Sequence, residues 1–392
     1  MRRTPPAIAA AVCSAAVCLV GTLAGCGSRS AASSTPAAVT EAPPIALATS
    51  GSAGGASWAV VRTGGPRVAG QFWQLLVRSA GSSIWRLATP PGVADNAGLV
   101  VAGATGGTLT VGFVPGQLLR FTPLATTRDD GAHWSQGLLP AGLVAAPSAL
   151  TALPGGRLLA ITATGAEESG RGGSGWTSLV TLRALAATPA GRSCGLAGLL
   201  AAAVTSSGDP LVAGSCSRPG RVDVFERSAT GWTAHADTLR GPEAKQQVSV
   251  VKLASAGART EVLLVAGSGR TQAVIQSWLS SRTGTLTTGV PLIMKGSPVT
   301  STITAADGGS GVVMAGRVQF EAPAGGGGWY NSAPTALPGP EAVLALGSGL
   351  DRRASAPLTA LVPGVSSVAV WKLDKYGKWH RTQLISIPAA PQ

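Results

Sequence analysis

Past residue 44 the chain is built of short apolar runs of Val, Leu, Ile, Ala and Thr that Gly, Pro and polar clusters interrupt every few residues. Runs of this length with turn residues between them predict strands, and hardly any stretch carries the 3.6-residue apolar period of a helix. In one well-marked unit the runs are Leu199 to Ser206, Pro210 to Ser215, Arg221 to Arg227 and Trp232 to Leu239. Four such strands joined by short turns predict an antiparallel meander. The meander repeats. Trp85, Trp134, Trp232, Trp329 and Trp379 lie 49, 98, 97 and 50 residues apart, or one, two, two and one unit of about 49, and a fixed period of this size marks a repeat architecture. Each of the five follows a short turn segment, such as Gly81-Ser82-Ser83-Ile84 or Tyr376-Gly377-Lys378. The indole therefore opens the last strand of its unit, and two units have lost it. Residues 44–392 hold about seven units, which predicts an all-β chain: a seven-bladed β-propeller of four-stranded antiparallel blades. The expected blade limits are 44–94, 95–146, 147–197, 198–246, 247–295, 296–339 and 340–392.

A local motif points the same way. Thr127-Arg128-Asp129-Asp130-Gly131-Ala132-His133-Trp134 fits Ser/Thr-x-Asp-x-Gly-x-x-Trp and so resembles the Asp-box of sialidase-type propellers. The resemblance covers eight residues and places them in the turn between the third and fourth strands of a blade. It implies structural roles for Thr127, Asp129, Gly131 and Trp134: the Asp caps the turn as in an Asx turn, and the Trp packs between neighbouring blades. Asp374-Lys375-Tyr376-Gly377-Lys378-Trp379 looks like a shortened form. Sialidase chemistry would further require an arginine triad, a tyrosine nucleophile with a glutamate partner, and an acidic acid/base residue. Tyr330 and Tyr376 are the only tyrosines, and both fall at turns leading into outer strands. No catalytic residue is picked out on this basis.

The N-terminus carries an address. Arg2 and Arg3 precede an apolar stretch from Ala7 to Ala24, which matches the charged and hydrophobic regions of an export signal. That stretch ends in Leu23-Ala24-Gly25-Cys26, which resembles the lipobox of bacterial lipoproteins. The resemblance implies cleavage before Cys26 and a diacylglyceryl group on its sulfur. Alternatives are an ordinary secretory signal and an uncleaved anchor. The expected organisation is a signal peptide at 1–25, a flexible tether at 26–43 and the propeller at 44–392, on the extracytoplasmic side of the cell membrane. From Gly27 to Pro43 the chain is too poor in large apolar groups to offset its ordering entropy. Cys194 and Cys216 remain in the mature chain. In an oxidising compartment this even remainder suggests a disulfide, with two buried thiols as the alternative.

Charge adds one further feature. The formal net charge is +13, yet only 12% of residues are charged, a mild excess spread over a large surface. Nucleic acid is excluded as a partner, because no basic cluster interleaved with aromatics occurs and the compartment is wrong. The predicted loops between second and third strands share a face with the links between blades. They carry Arg67, Arg171, Arg218, Arg221, Arg270 and Arg317, with Arg120 close behind. Planar guanidinium donors suit carboxylate or phosphate groups, so this face is a candidate anion-binding surface; solvated loop charge is the plain alternative. The longest such loop is expected from Thr164 to Gly175.

Other chemistry finds little support. Gly191-Arg192-Ser193-Cys194-Gly195 matches Gly-x-Ser-x-Gly, but a nucleophile elbow needs a strand before it and a helix after it, and Thr188-Pro189-Ala190 breaks that strand. His133, His235 and His380 stand in separate units without a second ligand at metal spacing. No metal site and no cofactor are expected. The sequence thus predicts a monomeric, membrane-anchored binding or scaffold module for an anionic envelope polymer or a partner protein. A glycan-acting hydrolase of sialidase-like type is the alternative, distinguished by converging carboxylates in the central funnel.

Overall fold

The computed structural model describes residues 46–388 except 54, 65–71, 92–97, 104–106, 115–119, 219, 236–238, 241–246, 257–258, 269–270, 281–282, 296–300, 307–308, 315–316, 322–328, 332–335, 338, 340 and 346–357. The export signal, the tether, Cys26, Arg67 and Arg270 lie outside the described residues.

Seven antiparallel four-stranded meanders make up the fold, spanning 46–87, 98–139, 150–181, 196–234, 247–288, 301–331 and 343–386. The protein is a seven-bladed β-propeller. First strands of successive blades touch around a common axis, and each blade runs outward from there. Turns joining strands one to two and three to four form one face, here called the hairpin face. Turns joining strands two to three, together with the links between blades, form the opposite link face.

Apolar side chains on both faces of each sheet meet those of its neighbours. One cluster joins blades 1 and 2 through Trp58, Val60, Val77, Leu99 and Val111. Others join blades 4 and 5, 5 and 6, and 6 and 7, and one large cluster runs across blades 2, 3 and 4. The last joins blade 7 to blade 1 through Val343, Leu361 and Val370 against Ala59, Leu76 and Trp85. The core is therefore a set of wedges between sheets, which lets a body of this length be one domain.

Ring closure also uses polar contacts. Gln383 of blade 7 clamps the backbone of Trp85 in blade 1: its Oε1 accepts the Trp85 N–H at 3.0 Å and its Nε2 donates to the Trp85 carbonyl at 2.6 Å. Arg62 of blade 1 reaches Glu341 at 3.2 Å. Close to the axis the first strands of blades 1 and 6 pair directly in parallel, from Ala46 opposite Thr302 to Thr49 opposite Ala305. Blade 7, whose first strand is only Val343–Leu344, sits behind this seam. Ser148 ties two more first strands, accepting the Ala202 N–H at its carbonyl (2.7 Å) and the Leu253 N–H at its hydroxyl (3.3 Å).

The five periodic tryptophans all stand at or one residue from the start of the outermost strand. Each indole packs onto the preceding blade: Trp85 onto blade 7, Trp134 onto blade 1, Trp232 onto blade 3, Trp329 onto blade 5 and Trp379 onto blade 6. A sixth was missed. Trp176 directly precedes Thr177–Thr181, the outermost strand of blade 3, so only blade 5 lacks the indole, with Leu286 packing in its stead. Uneven loops hid Trp176, which lies 42 residues after Trp134 and 56 before Trp232.

Between blades 3 and 4 the chain forms two short helices, α1 (Leu182–Ala186) and α2 (Pro189–Cys194), where only a link was expected. Thr181 and Thr188 cap their N-termini, Pro189 sits in the first turn of α2, and Gly195 ends it at φ +66°. Cys194 and Cys216 form a disulfide that ties α2 to the end of the second strand of blade 4. Both glycines of the Gly-x-Ser-x-Gly match are structural: a Cβ at Gly191 would lie 2.2 Å from the Leu185 carbonyl oxygen, and Gly195 takes a left-handed cap.

Two measurements test this account. Gln383→Ala leaves the Trp85 N–H and carbonyl without their partner, so urea unfolding should show a loss of about 2 kcal/mol. Unchanged stability would mean the clamp contributes nothing to closure. Asp223, buried in the third strand of blade 4, has its pKa pushed up to about 6 by burial, opposed by the hydrogen bond from the Val224 N–H. The unfolded chain ionises first, so this group weakens folding as pH rises from about 4 to about 6 and holds that loss above. The stability advantage of Asp223→Asn over wild type should grow across that window in thermal melts; a gap independent of pH would refute the assignment.

Candidate functional site

The third-to-fourth-strand turn of blade 2 is built by hydrogen bonds from side chains to backbone. The Thr127 hydroxyl donates to Asp129 Oδ1 at 2.7 Å and accepts the Gly131 N–H at 2.9 Å. Asp129 Oδ1 also accepts the His133 N–H at 2.9 Å, while Oδ2 lies 2.6 Å from His133 Nδ1. The His133 N–H, then the Thr127 hydroxyl and the His133 ring, hold the Asp129 carboxyl well below the usual carboxylate range. Asp130 and Gly131 take left-handed conformations at φ 56° and 87°. At Gly131 a side chain is also barred by Ala88 of blade 1, 2.7 Å from where a Cβ would stand. Arg86 of blade 1 donates to the carbonyls of Asp129 (3.3 Å) and Asp130 (2.7 Å), locking the turn onto its neighbour.

The corresponding turn of blade 7 is built alike. Asp374 Oδ1 accepts the N–H groups of Lys378 and Tyr376, both at 2.8 Å, and Oδ2 lies 2.7 Å from His380 Nε2. The Lys378 N–H leads the causes that lower its pKa. His235 in blade 4 stands 2.8 Å from Glu226 on the adjacent strand. His133 and His380 thus each buttress the carboxylate that caps an outer turn, a pattern that their lone positions in sequence did not reveal.

Space for a ligand lies off the axis. The axial cavity, lined by Thr49, Ser50, Thr151 and Lys252 among others, is about 70 Å³. Lys252 is buried there and pairs with Glu261, whose other oxygen accepts from Gln276 Nε2 at 2.6 Å. By contrast, a groove of about 1160 Å³ opens on the hairpin face between blades 2 and 3. Blade 2 contributes Thr108, Thr110, Arg128, Asp129, His133 and Ser135; blade 3 contributes the 154–157 turn and Arg171 to Gly173. Arg157 pairs with Glu168, which also lies 3.9 Å from Arg227 of blade 4. Neither Arg128 nor Arg171 has a carboxylate partner among the described residues. The groove therefore presents two unpaired guanidinium groups among hydroxyls and glycine-rich turns.

The predicted arginine face is corrected in one member. Thr162 and Gly165 bracket a tight turn, Gly165–Glu168 is the third strand of blade 3, and residues 169–176 join it to the fourth. Arg171 therefore lies on the hairpin face and lines the groove. The two glutamates at the end of that short strand made it read as loop. Arg120, Arg218, Arg221 and Arg317 do stand in or beside turns between second and third strands, on the link face. Tyr376 is exposed in its turn and Tyr330 lies in the outermost strand of blade 6, away from the axis. Ser193 is exposed on α2. Among the described residues no three His, Cys, Asp or Glu side chains cluster as a metal set would.

No family model matches the chain, and no curated protein matches it. Solved structures similar to it include a protein from Lactobacillus plantarum, at 14% identity over 84% of this chain and 96% of that one, with a TM-score of 0.49. The Aleuria aurantia lectin, solved with α-methyl-L-fucoside, is 12% identical over 89% of this chain and 99% of its own, with a TM-score of 0.42. YCF48 from Cyanidioschyzon merolae is 14% identical over 81% of this chain and 92% of its own, with a TM-score of 0.45. At this level of likeness no ligand or activity carries over.

Asp129 supplies the test of the turn. A lowered folded pKa means that its contribution is complete above the unfolded value near 3.8 and is lost as pH falls through the folded one. Asp129→Asn should therefore melt below wild type at neutral pH, and the gap should narrow on acidification below about pH 4. A gap that persists unchanged in acid would rule out the charged cap.

Proposed function

We propose that the chain is a lipoprotein held on the extracytoplasmic side of a cell membrane through diacylglyceryl-modified Cys26, and that its propeller is a non-enzymatic binding or scaffold module for an anionic envelope ligand or partner protein. The groove between blades 2 and 3 is the binding site in this reading. The observation that supports it is the pair of unpaired guanidinium groups, Arg128 and Arg171, contributed by adjoining blades to one ligand-sized groove. Guanidinium forks bind carboxylate and phosphate with charge-assisted, directional hydrogen bonds. The carboxylate beside them favours binding over acid catalysis. Asp129 is kept ionised by the turn it caps, so it holds no proton to donate to a leaving group at neutral pH.

The address is tested by mass spectrometry of the chain released from membranes: a diacylglyceryl group on Cys26 is expected, and an unmodified or internally retained cysteine overturns it. For the groove, the full chain with Arg128→Ala and Arg171→Ala together should bind isolated envelope material roughly tenfold to hundredfold more weakly than wild type. The wild-type interaction should fall with salt. Equal binding would refute the site. Release of reducing sugar from that material by wild type, lost in the double variant, would favour the hydrolase reading instead.

A further inference from the structure

We propose that the link face is a membrane-docking surface: in the anchored protein it lies against the anionic head groups of the bilayer that holds Cys26, leaving the groove on the side away from the lipid. This rests on the lipoprotein reading above.

The first observation is where the chain enters the fold. Strand Ala46–Ala53 is the innermost of blade 1, and Ala53 turns directly into Ala56–Thr63 at the hairpin face. Ala46 therefore stands at the link face beside the axis, and its parallel neighbour starting at Ser301 begins at the same end. Nineteen residues separate Cys26 from Ala46, which limits the distance between them to about 70 Å at full extension. A tether this short, leaving from one face, presents that face to the bilayer at high effective concentration.

The second observation is charge. On the link face the described residues include Arg120, Arg183, Arg192, Arg218, Arg221 and Arg317, all exposed except the half-buried Arg221. Among the described residues exposed or half-buried there, Glu341 stands against them, and it is paired with Arg62. Asp129, Asp130, Asp209 and Asp374 all lie at turns of the hairpin face. Four of the arginines are held near one another by covalent structure. Arg183 and Arg192 are on α1 and α2, Arg218 and Arg221 follow Cys216, and the Cys194–Cys216 disulfide joins the two segments. Phe121, 40% exposed beside Arg120, adds an aromatic ring suited to head-group depth. Each arginine close to an anionic bilayer multiplies affinity about fivefold, an attraction that falls off within a Debye length.

Hydrogen exchange on the full lipidated chain, anchored in phosphatidylcholine vesicles with or without phosphatidylglycerol, tests the orientation. With phosphatidylglycerol, exchange should slow several-fold at α1, α2 and 217–221 relative to neutral vesicles. The hairpin turns at 128–134 and 154–156 should not change. The protection should disappear at high salt, and also in the triple variant Arg120→Glu, Arg218→Glu, Arg317→Glu, but persist in Lys375→Glu on the hairpin face. The salt titration of wild type carries the test should the triple variant misfold. Equal exchange in both vesicles, or protection of the hairpin face, overturns the docking surface while leaving the anchor intact. Mass analysis of the same sample reports the lipid on Cys26 separately, and its absence overturns the anchor and the docking together.

Discussion

Closure of the ring is the constraint on which the rest of this structure depends. A four-stranded blade has two apolar faces and cannot bury both alone; each face needs a neighbour, and the first and last blades have one only if they meet. Here they meet through the Leu76, Trp85 and Leu361 cluster and the Gln383 clamp. The parallel seam between the first strands of blades 1 and 6 closes the centre as well. Among the described residues, that seam and the buried Lys252–Glu261 pair leave a cavity of only about 70 Å³ at the axis. In a ring filled in this way, ligand-sized space is left between blades, where loops of unequal length fail to cover the seam.

The indoles make the wedges fit. Each outer-strand tryptophan reaches back over the blade before it, so every blade is registered against its predecessor by one large side chain at the rim, where the gap between diverging sheets is widest. Trp85 is 1% exposed and its indole N–H finds no acceptor among the described residues. Burying so much apolar area outweighs the lost hydrogen bond. The turns that deliver these indoles must be rigid, which is why Asp129 and Asp374 cap them and why Gly131 cannot carry a side chain against Ala88.

These devices left unequal traces in sequence. The period of the tryptophans, the eight residues around Asp129 and the Val- and Leu-rich runs are local, and they were enough to give the architecture. Trp176 escaped because the short strands of blade 3 and the two-residue turn between its second and third strands bring it early, and the two helices after it lengthen the next interval. The helices had their own marks, with Thr181, Thr188, Pro189 and Gly195 at the expected capping positions, but they are too short to show a period. Gly165–Glu168 escaped for a different reason: a strand of four residues ending in two glutamates has no apolar alternation, and only its pairing with Arg157–Thr162 and Thr177–Thr181 makes it a strand. That single misplacement moved Arg171 to the wrong face. The groove itself was not legible at all, since its walls come from turns of two blades that only the packing angle between sheets brings together.

The distribution of acidic residues follows from the same turn chemistry. Third-to-fourth-strand hairpins recruit Asp because a carboxylate can accept several backbone N–H groups at once. Links between blades and turns between second and third strands show no such cap among the described residues, so little draws carboxylates to that side. The hairpin face is accordingly mixed, with Arg128, Arg157 and Arg171 beside its carboxylates, while the described residues of the link face are mostly basic. Within the groove this has a further consequence. Asp129 is surrounded by the His133 N–H, the Thr127 hydroxyl and the His133 ring, so its negative charge is directed into the turn. Arg128, its neighbour in sequence, is thereby left to act on whatever enters the groove.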